Sequence, residues 1–164
     1  MQLAKIISAL PSAPVAVKGP ADREITSLTH DSRQVIPGCL FVALPSVTPG
    51  RTGEAAGGGA NFILEAVEKG AAAVITSADL DAPRATMIRV EDPRTALSSA
   101  AAVFYGHPSL QLQTAGVTGT NGKTTVSFLL KHLLDVAERP CGLIGTVRYM
   151  VGPRELPAAR TTPE

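Results

Sequence analysis

The sequence predicts an α/β fold in two parts. An N-terminal α/β domain covers residues 1–110, and the start of a domain of the phosphate-loop (P-loop) type covers 111–164. Three observations predict it. Short apolar runs alternate with segments whose apolar residues recur at helical spacing. Glycine or proline punctuates the junctions between them. A glycine-rich turn, Gly116-Val117-Thr118-Gly119-Thr120-Asn121-Gly122-Lys123-Thr124-Thr125, stands between an apolar run and a helical pattern. Alternation of strand and helix argues for a layered fold with parallel strands.

Each element has its own signal. Leu3, Ile6, Ile7 and Leu10 share one face of a first helix, which Pro11 ends. Ile25 to Leu28 and Cys39 to Leu44 read as strands on either side of the polar turn His30-Asp31-Ser32-Arg33 and the Pro37-Gly38 turn. Pro45 to Ala60, dominated by small and turn-forming residues, reads as a surface loop, either a plain insertion or a gate over a substrate. Asn61 is placed to cap a helix through Lys69, with Gly70 at its end. Ala71 to Thr76 and Met87 to Val90 follow as short strands. Asp92 caps and Pro93 opens a helix to about Tyr105, stopped by Gly106 and Pro108. A boundary falls near Ser109 to Gln113. Beyond it, Leu112 to Val117 read as a short buried strand and Thr124 to Ala137 as a helix carrying Val126, Leu129, Leu130, Leu133, Leu134 and Val136. Cys141 to Val147 reads as a further strand.

Composition excludes several classes. A net charge of +1 gives no electrostatic case for nucleic acid or an anionic membrane, and 4% aromatic residues weaken any base-stacking role. The N-terminal apolar pattern is short, amphipathic and followed by Pro11 and Pro14, so it predicts neither a signal peptide nor membrane insertion. Cys39 and Cys141 lie far apart in apolar runs and read as buried free thiols of a cytoplasmic protein, without a cysteine metal centre.

The glycine-rich turn carries the chemistry. Small residues let the backbone approach a phosphate chain, successive N–H groups point inward, and the helix N-terminus adds partial positive charge. Lys123 supplies a full cation for the terminal phosphates, and the Thr124 hydroxyl is a ligand for Mg²⁺. The strict pattern wants glycine five positions before Gly122. Val117 stands there, with Gly116 one place too early. The reading is a nucleoside triphosphate site. Taken alone, Asp31-Ser32-Arg33 fits an ordinary hydrogen-bonded turn, and His107 and His132 read as surface residues without a role.

Thr-Gly-Thr-Asn-Gly-Lys-Thr-Thr, residues 118–125, resembles the ATP site of the Mur ligases, which build the peptide stem of bacterial peptidoglycan. Four further pieces resemble the MurE type, which adds the third stem residue. They are Leu28-Thr29-His30-Asp31-Ser32-Arg33 with Gly38-Cys39-Leu40-Phe41-Val42-Ala43-Leu44, then Glu68-Lys69-Gly70-Ala71-Ala72-Ala73-Val74, then Gly142-Leu143-Ile144-Gly145-Thr146-Val147, and Leu156-Pro157-Ala158 through Thr161-Thr162-Pro163-Glu164. The resemblance implies that residues 1–110 form a domain for the uridine nucleotide of the substrate. It assigns ATP to Gly119, Thr120, Asn121, Gly122, Lys123, Thr124 and Thr125, with Lys123 catalytic and Mg²⁺ near Thr124. It assigns substrate contacts to His30, Ser32, Arg160, Thr161 and Thr162.

The implied reaction is ATP-dependent. The D-glutamate carboxylate of UDP-MurNAc-L-Ala-D-Glu becomes an acyl phosphate, which the amino group of diaminopimelate or lysine attacks, forming an amide and releasing phosphate. The implied partners are the UDP-MurNAc-dipeptide and an amino acid, and the implied state is a monomer. One departure stands out: the family's short substrate-contacting turn ending in Asp-Gly is replaced by the glycine-rich loop around Val47 to Gly59. The metal-binding glutamate and histidine, the modified lysine and the amino-acid-binding domain are expected beyond these residues, so the 164-residue chain alone is expected to be inactive. Another amide ligase of the superfamily, or a binding module for nucleotide or UDP-sugar, remains the alternative.

Overall fold

The runs Cys39–Val42 (β3) and Ala73–Thr76 (β4) are buried along their whole length. Continuous apolar character marks strands covered on both faces, as in a parallel sheet. They form the centre of a five-stranded sheet with Ala16–Lys18 (β1), Ser27–Thr29 (β2) and Thr86–Arg89 (β5), in the order β1-β5-β4-β3-β2. The β2–β3, β3–β4 and β4–β5 pairs are parallel, and β1 lies antiparallel to β5. The computed structural model describes residues 1–45 and 59–158. The chain divides into two units, Met1–Leu112 and Gln113–Glu164.

The pleat of the first unit sorts its core. Leu40, Val42, Ala73, Ile75 and Ile88 turn to one face, where they meet Leu3 and Ile6 of helix α1 (Leu3–Ser8) and Ala96, Leu97 and Ala100 of helix α3 (Pro93–Phe104). Cys39, Phe41, Val74 and Met87 turn to the other, against Ile63, Ala66 and Val67 of helix α2 (Ile63–Glu68). The result is a three-layer α/β/α arrangement. Each fully buried aliphatic side chain contributes about 1.5–3 kcal/mol. Helix α3 begins where Asp92-Pro93 predicts: Asp92 Oδ1 accepts from Arg94 N at 2.9 Å and Oδ2 from Thr95 Oγ1 at 2.5 Å.

The second unit contains helix α4 (Lys123–Val136) and an antiparallel meander of Leu143–Ile144 (β6), Arg148–Val151 (β7) and Arg154–Pro157 (β8). Arg148 ties the meander to the helix. Its Nη1 donates to Glu155 Oε2 at 2.6 Å, and its guanidinium carbon sits 5.8 Å from the centre of the Phe128 ring. Among the described residues of this unit only Leu143 is buried. Leu130 and Leu134 are half-buried, whereas Val126, Leu129, Leu133 and Val136 are exposed.

Several expectations are corrected. Leu112 to Val117 are not a buried strand: no ladder partner faces them among the described residues, and Leu112 is 65% exposed. Asn61 does not cap α2. Gly59–Phe62 form a 3₁₀ turn, tethered by Gly59 N donating to Leu44 O at 2.7 Å, and the helix starts one residue past Phe62. The strand expected over Ile25 to Leu28 shifts to Ser27–Thr29, because Ile25 N donates to Met1 O and only residues from Ser27 onward face β3. Cys141 is half-buried and precedes β6, whereas Cys39 is fully buried. Ala16–Lys18 is a strand the sequence reading did not identify. The loop expected over Pro45 to Ala60 falls mostly outside the described residues.

Candidate functional site

In the second unit, Gly119 and Gly122 take φ of +148° and +78°, conformations that side chains with a Cβ rarely adopt. Gly122 is the N-cap of α4, and no side chain among the described residues caps the helix. The first turn of an α-helix leaves its N–H groups without intrahelical acceptors. The N-terminus of this 14-residue helix therefore presents donors and partial positive charge to the turn. The Lys123 Nζ lies back over the turn, donating to Gly119 O at 2.6 Å and Thr120 O at 3.3 Å. The side chains of Thr120, Asn121, Thr124 and Thr125 are exposed and make no hydrogen bonds among the described residues. Uncapped donors, an aimed ammonium and unengaged hydroxyls fit a triphosphate, with Thr124 offering one oxygen ligand to Mg²⁺.

A cleft of about 450 Å³ opens beside the turn, lined by Lys123, Thr124, Phe128, Leu130, Leu134 and Leu143 among others. Lys123 and Thr124 at the start of α4, with Gln113, Ser127, Lys131 and Thr146, make its polar wall, and Phe128, Leu130, Leu134 and Leu143 supply its apolar side. Among the described residues, no group of three or more His, Cys, Asp or Glu side chains could hold a metal ion by itself. No helix among them is long and apolar enough to cross a membrane.

In the first unit, His30-Asp31-Ser32-Arg33 leaves the C-terminal end of β2, and the other parallel strands end on the same side of the sheet. Ligand crevices of open α/β sheets form at that edge. Asp31 shapes the turn. Its backbone N donates to Thr29 Oγ1 at 3.1 Å, and its Oδ1 accepts from Arg33 N at 3.0 Å, opening the 3₁₀ turn Ser32–Gln34. Arg33 grips the same carboxylate through Nε at 2.9 Å and Nη2 at 2.7 Å. The Arg33 side chain, and then its amide, hold the Asp31 carboxyl down at about 2. The Ser32 hydroxyl is half-buried and makes no hydrogen bond among the described residues. His30 flanks it, also half-buried.

The structure thus gathers His30 and Ser32 at one strand edge and Gly119 to Thr125 around one helix start. Arg160, Thr161 and Thr162 lie outside the described residues. Sequence reasoning gave no role to Lys69, whose Nζ donates to Ser32 O at 3.0 Å and to Glu65 Oε1 at 2.6 Å. The spacing of Glu65 and Lys69, one helical turn apart, was the available signal.

Comparison with known proteins places the chain. Residues 117–164 match the Mur ligase middle domain. The UDP-N-acetylmuramoyl-L-alanyl-D-glutamate–2,6-diaminopimelate ligase of Geobacter sulfurreducens is 43% identical over 152 residues, covering 92% of this chain and 28% of that protein. The ligase of the same name from Streptomyces coelicolor is 42% identical over 168 residues, covering 96% and 31%. The chain thus spans about 30% of the length of these curated relatives. A solved structure of a ligase of that name matches 90% of this chain and 29% of its own, with a TM-score of 0.66 and 26% identity. MurF from Acinetobacter baumannii matches 82% and 26%, with a TM-score of 0.53 and 26% identity. With its mixed α/β fold and these matches, the chain is similar to the Mur ligases over most of its length, and residues 117–164 match their middle domain.

Proposed function

We propose that the polypeptide carrying these residues is a cytoplasmic, ATP-dependent ligase that joins diaminopimelate to UDP-MurNAc-L-Ala-D-Glu. In this reading residues 1–110 take the uridine-nucleotide end of the substrate through His30 and Ser32. Residues 111–164 open the ATP-binding domain, and Arg160, Thr161 and Thr162 contact the muramoyl-peptide. The observation that carries it is the Gly119–Thr125 turn, which sets Lys123 at the uncapped start of α4 inside the stretch matching the Mur ligase middle domain. The names of the relatives support diaminopimelate as the added amino acid.

The chemistry follows from charge. ATP supplies the phosphoryl group that activates the substrate carboxylate, and in such a transfer negative charge spreads over the γ-phosphate oxygens. Lys123 exchanges its two loop carbonyls for those oxygens, a stronger, charge-assisted pairing. The N–H groups at the start of α4 hold the phosphate chain, and Thr124 Oγ1 gives Mg²⁺ one of its oxygen ligands. The N–H groups are fixed by the helix and stabilise developing charge without reorienting, whereas Lys123 turns from its loop carbonyls to reach it.

The test is product formation by the purified complete ligase with ATP, Mg²⁺, UDP-MurNAc-L-Ala-D-Glu and either diaminopimelate or lysine. A UDP-MurNAc-tripeptide containing diaminopimelate, with one ADP per amide, is the expected outcome. Lysine used in its place would correct the amino acid, and no amide product with either would overturn the reading.

A further inference from the structure

The motif Glu68-Lys69-Gly70-Ala71 has no part in the chemistry above, yet it holds the segment that carries Ser32. Lys69 is the C-cap residue of α2, and its Nζ reaches from Glu65 to the Ser32 carbonyl. Next to it, Gly70 O accepts from Gly38 N at 3.0 Å, and Ala72 N donates to Cys39 O at 2.9 Å. Between these two anchors Val35 is buried against the α2 side of the sheet. Residues 32–38 are therefore fastened at both ends, by Lys69 at the start and Gly70 at the finish. Asp31 and Arg33 fix the shape of the turn from within. Among the described residues, Lys69 is the only side chain hydrogen-bonded to Ser32.

An ion pair whose side chains are 38% and 47% exposed is worth little to stability. A side chain that adds little to folding but grips the backbone of a candidate ligand residue has another use. We propose that Lys69 is a positioning residue: with Glu65 orienting its ammonium, it holds the Ser32 carbonyl and so aims the Ser32 hydroxyl at the nucleotide end of the substrate. This rests on the assignment of Ser32 to the UDP-substrate under the proposed function. Rotating the peptide after Ser32 swings its Cα–Cβ bond, and hydrogen bonds weaken steeply with misalignment.

The experiment is a double-mutant cycle in the complete ligase, read as KM for UDP-MurNAc-L-Ala-D-Glu, KM for ATP, kcat and the thermal midpoint. Lys69→Met is expected to raise KM for the UDP-substrate about three- to tenfold. The KM for ATP and kcat should stay within about twofold, and the midpoint nearly constant. Lys69→Arg, which keeps the donor, should recover most of the loss. Because Lys69 acts through Ser32, adding Lys69→Met to Ser32→Ala should cost no more than about a further twofold. Glu65→Gln, which leaves every buried contact in place, should show the same signature in weaker form.

Unchanged KM for the UDP-substrate in Lys69→Met and Glu65→Gln overturns the proposal, as does full additivity with Ser32→Ala or an equal loss for ATP. Wild-type enzyme that does not bind the UDP-substrate brings down the underlying assignment and the proposal with it. That failure is recognisable because it precedes any substitution.

Discussion

Gly122 gives a quantitative handle on the glycine turn at the start of α4. Its backbone sits at φ +78° and ψ −4°, and a Cβ built there would meet nothing within 4 Å. Replacement by alanine therefore meets no steric clash, and its whole cost is conformational. The left-handed region costs an L-residue about 1–2 kcal/mol, with asparagine penalised less. Without ligand the turn of Gly122→Ala relaxes toward negative φ, and binding must restore the strained form. The strain then appears in affinity, as a loss of about 5- to 30-fold for ATP. Gly122→Asn should lose less. Isothermal titration of the complete ligase with a non-hydrolysable ATP analogue measures both. Gly106→Ala is the control: Gly106 also has positive φ (+74°) and open space around it, but it closes α3 and should leave ATP affinity unchanged. Wild-type affinity in Gly122→Ala, or an equal loss in Gly106→Ala, would refute the reasoning.

Two further predictions concern the first unit. The Asp31 carboxyl is depressed from an ordinary 3.8 to about 2, so its contribution to stability is present above about 3.8 and is lost as pH falls through about 2. NMR titration of the Asp31 carboxyl should give that low midpoint, and Arg33→Ala should return it toward the ordinary value. Asp92→Ala removes the acceptor for Arg94 N and Thr95 Oγ1 and should cost about 0.5–2 kcal/mol in denaturant unfolding. A loss near zero would mean that Asp92 does not cap α3.

The parts legible in the sequence were those decided locally. The apolar runs around Leu40 and Val74 read as strands by their shortness and bounding turns, and Asp92-Pro93 fixed the start of α3 by its own hydrogen bonds. The misses were decided by partners far along the chain. Ala16–Lys18 is three residues between Pro14 and Gly19, too short for a period. It becomes a strand because the edge of β5 accepts it, Ala16 to Lys18 pairing with Arg89 to Met87. Asn61 carried a good capping side chain, but the Gly59–Leu44 hydrogen bond winds that stretch into a 3₁₀ turn first. Leu112 to Val117 carried the residues of a buried strand but have no ladder partner among the described residues. The candidate site divides the same way. The glycine turn is contiguous in sequence and its phosphate-binding chemistry could be read there, whereas Asp31-Ser32-Arg33 alone read as an ordinary turn and took a site role only from the resemblance. The bond from Lys69 to Ser32 spans 37 residues and needed the fold.

We propose that Gly119 to Thr125 bind ATP, with Lys123 meeting the charge that develops on the transferred phosphoryl group. Lys123 is exposed, and among the described residues its side-chain hydrogen bonds go only to the turn's own carbonyls, so Lys123→Ala removes a cation without opening a cavity. The decisive measurement is ADP release by wild-type and Lys123→Ala forms of the complete ligase, with UDP-MurNAc-L-Ala-D-Glu and diaminopimelate saturating. A fall in kcat of at least about 100-fold is expected, with the thermal midpoint and the affinity for the UDP-substrate unchanged. Turnover near the wild-type rate in Lys123→Ala would contradict it.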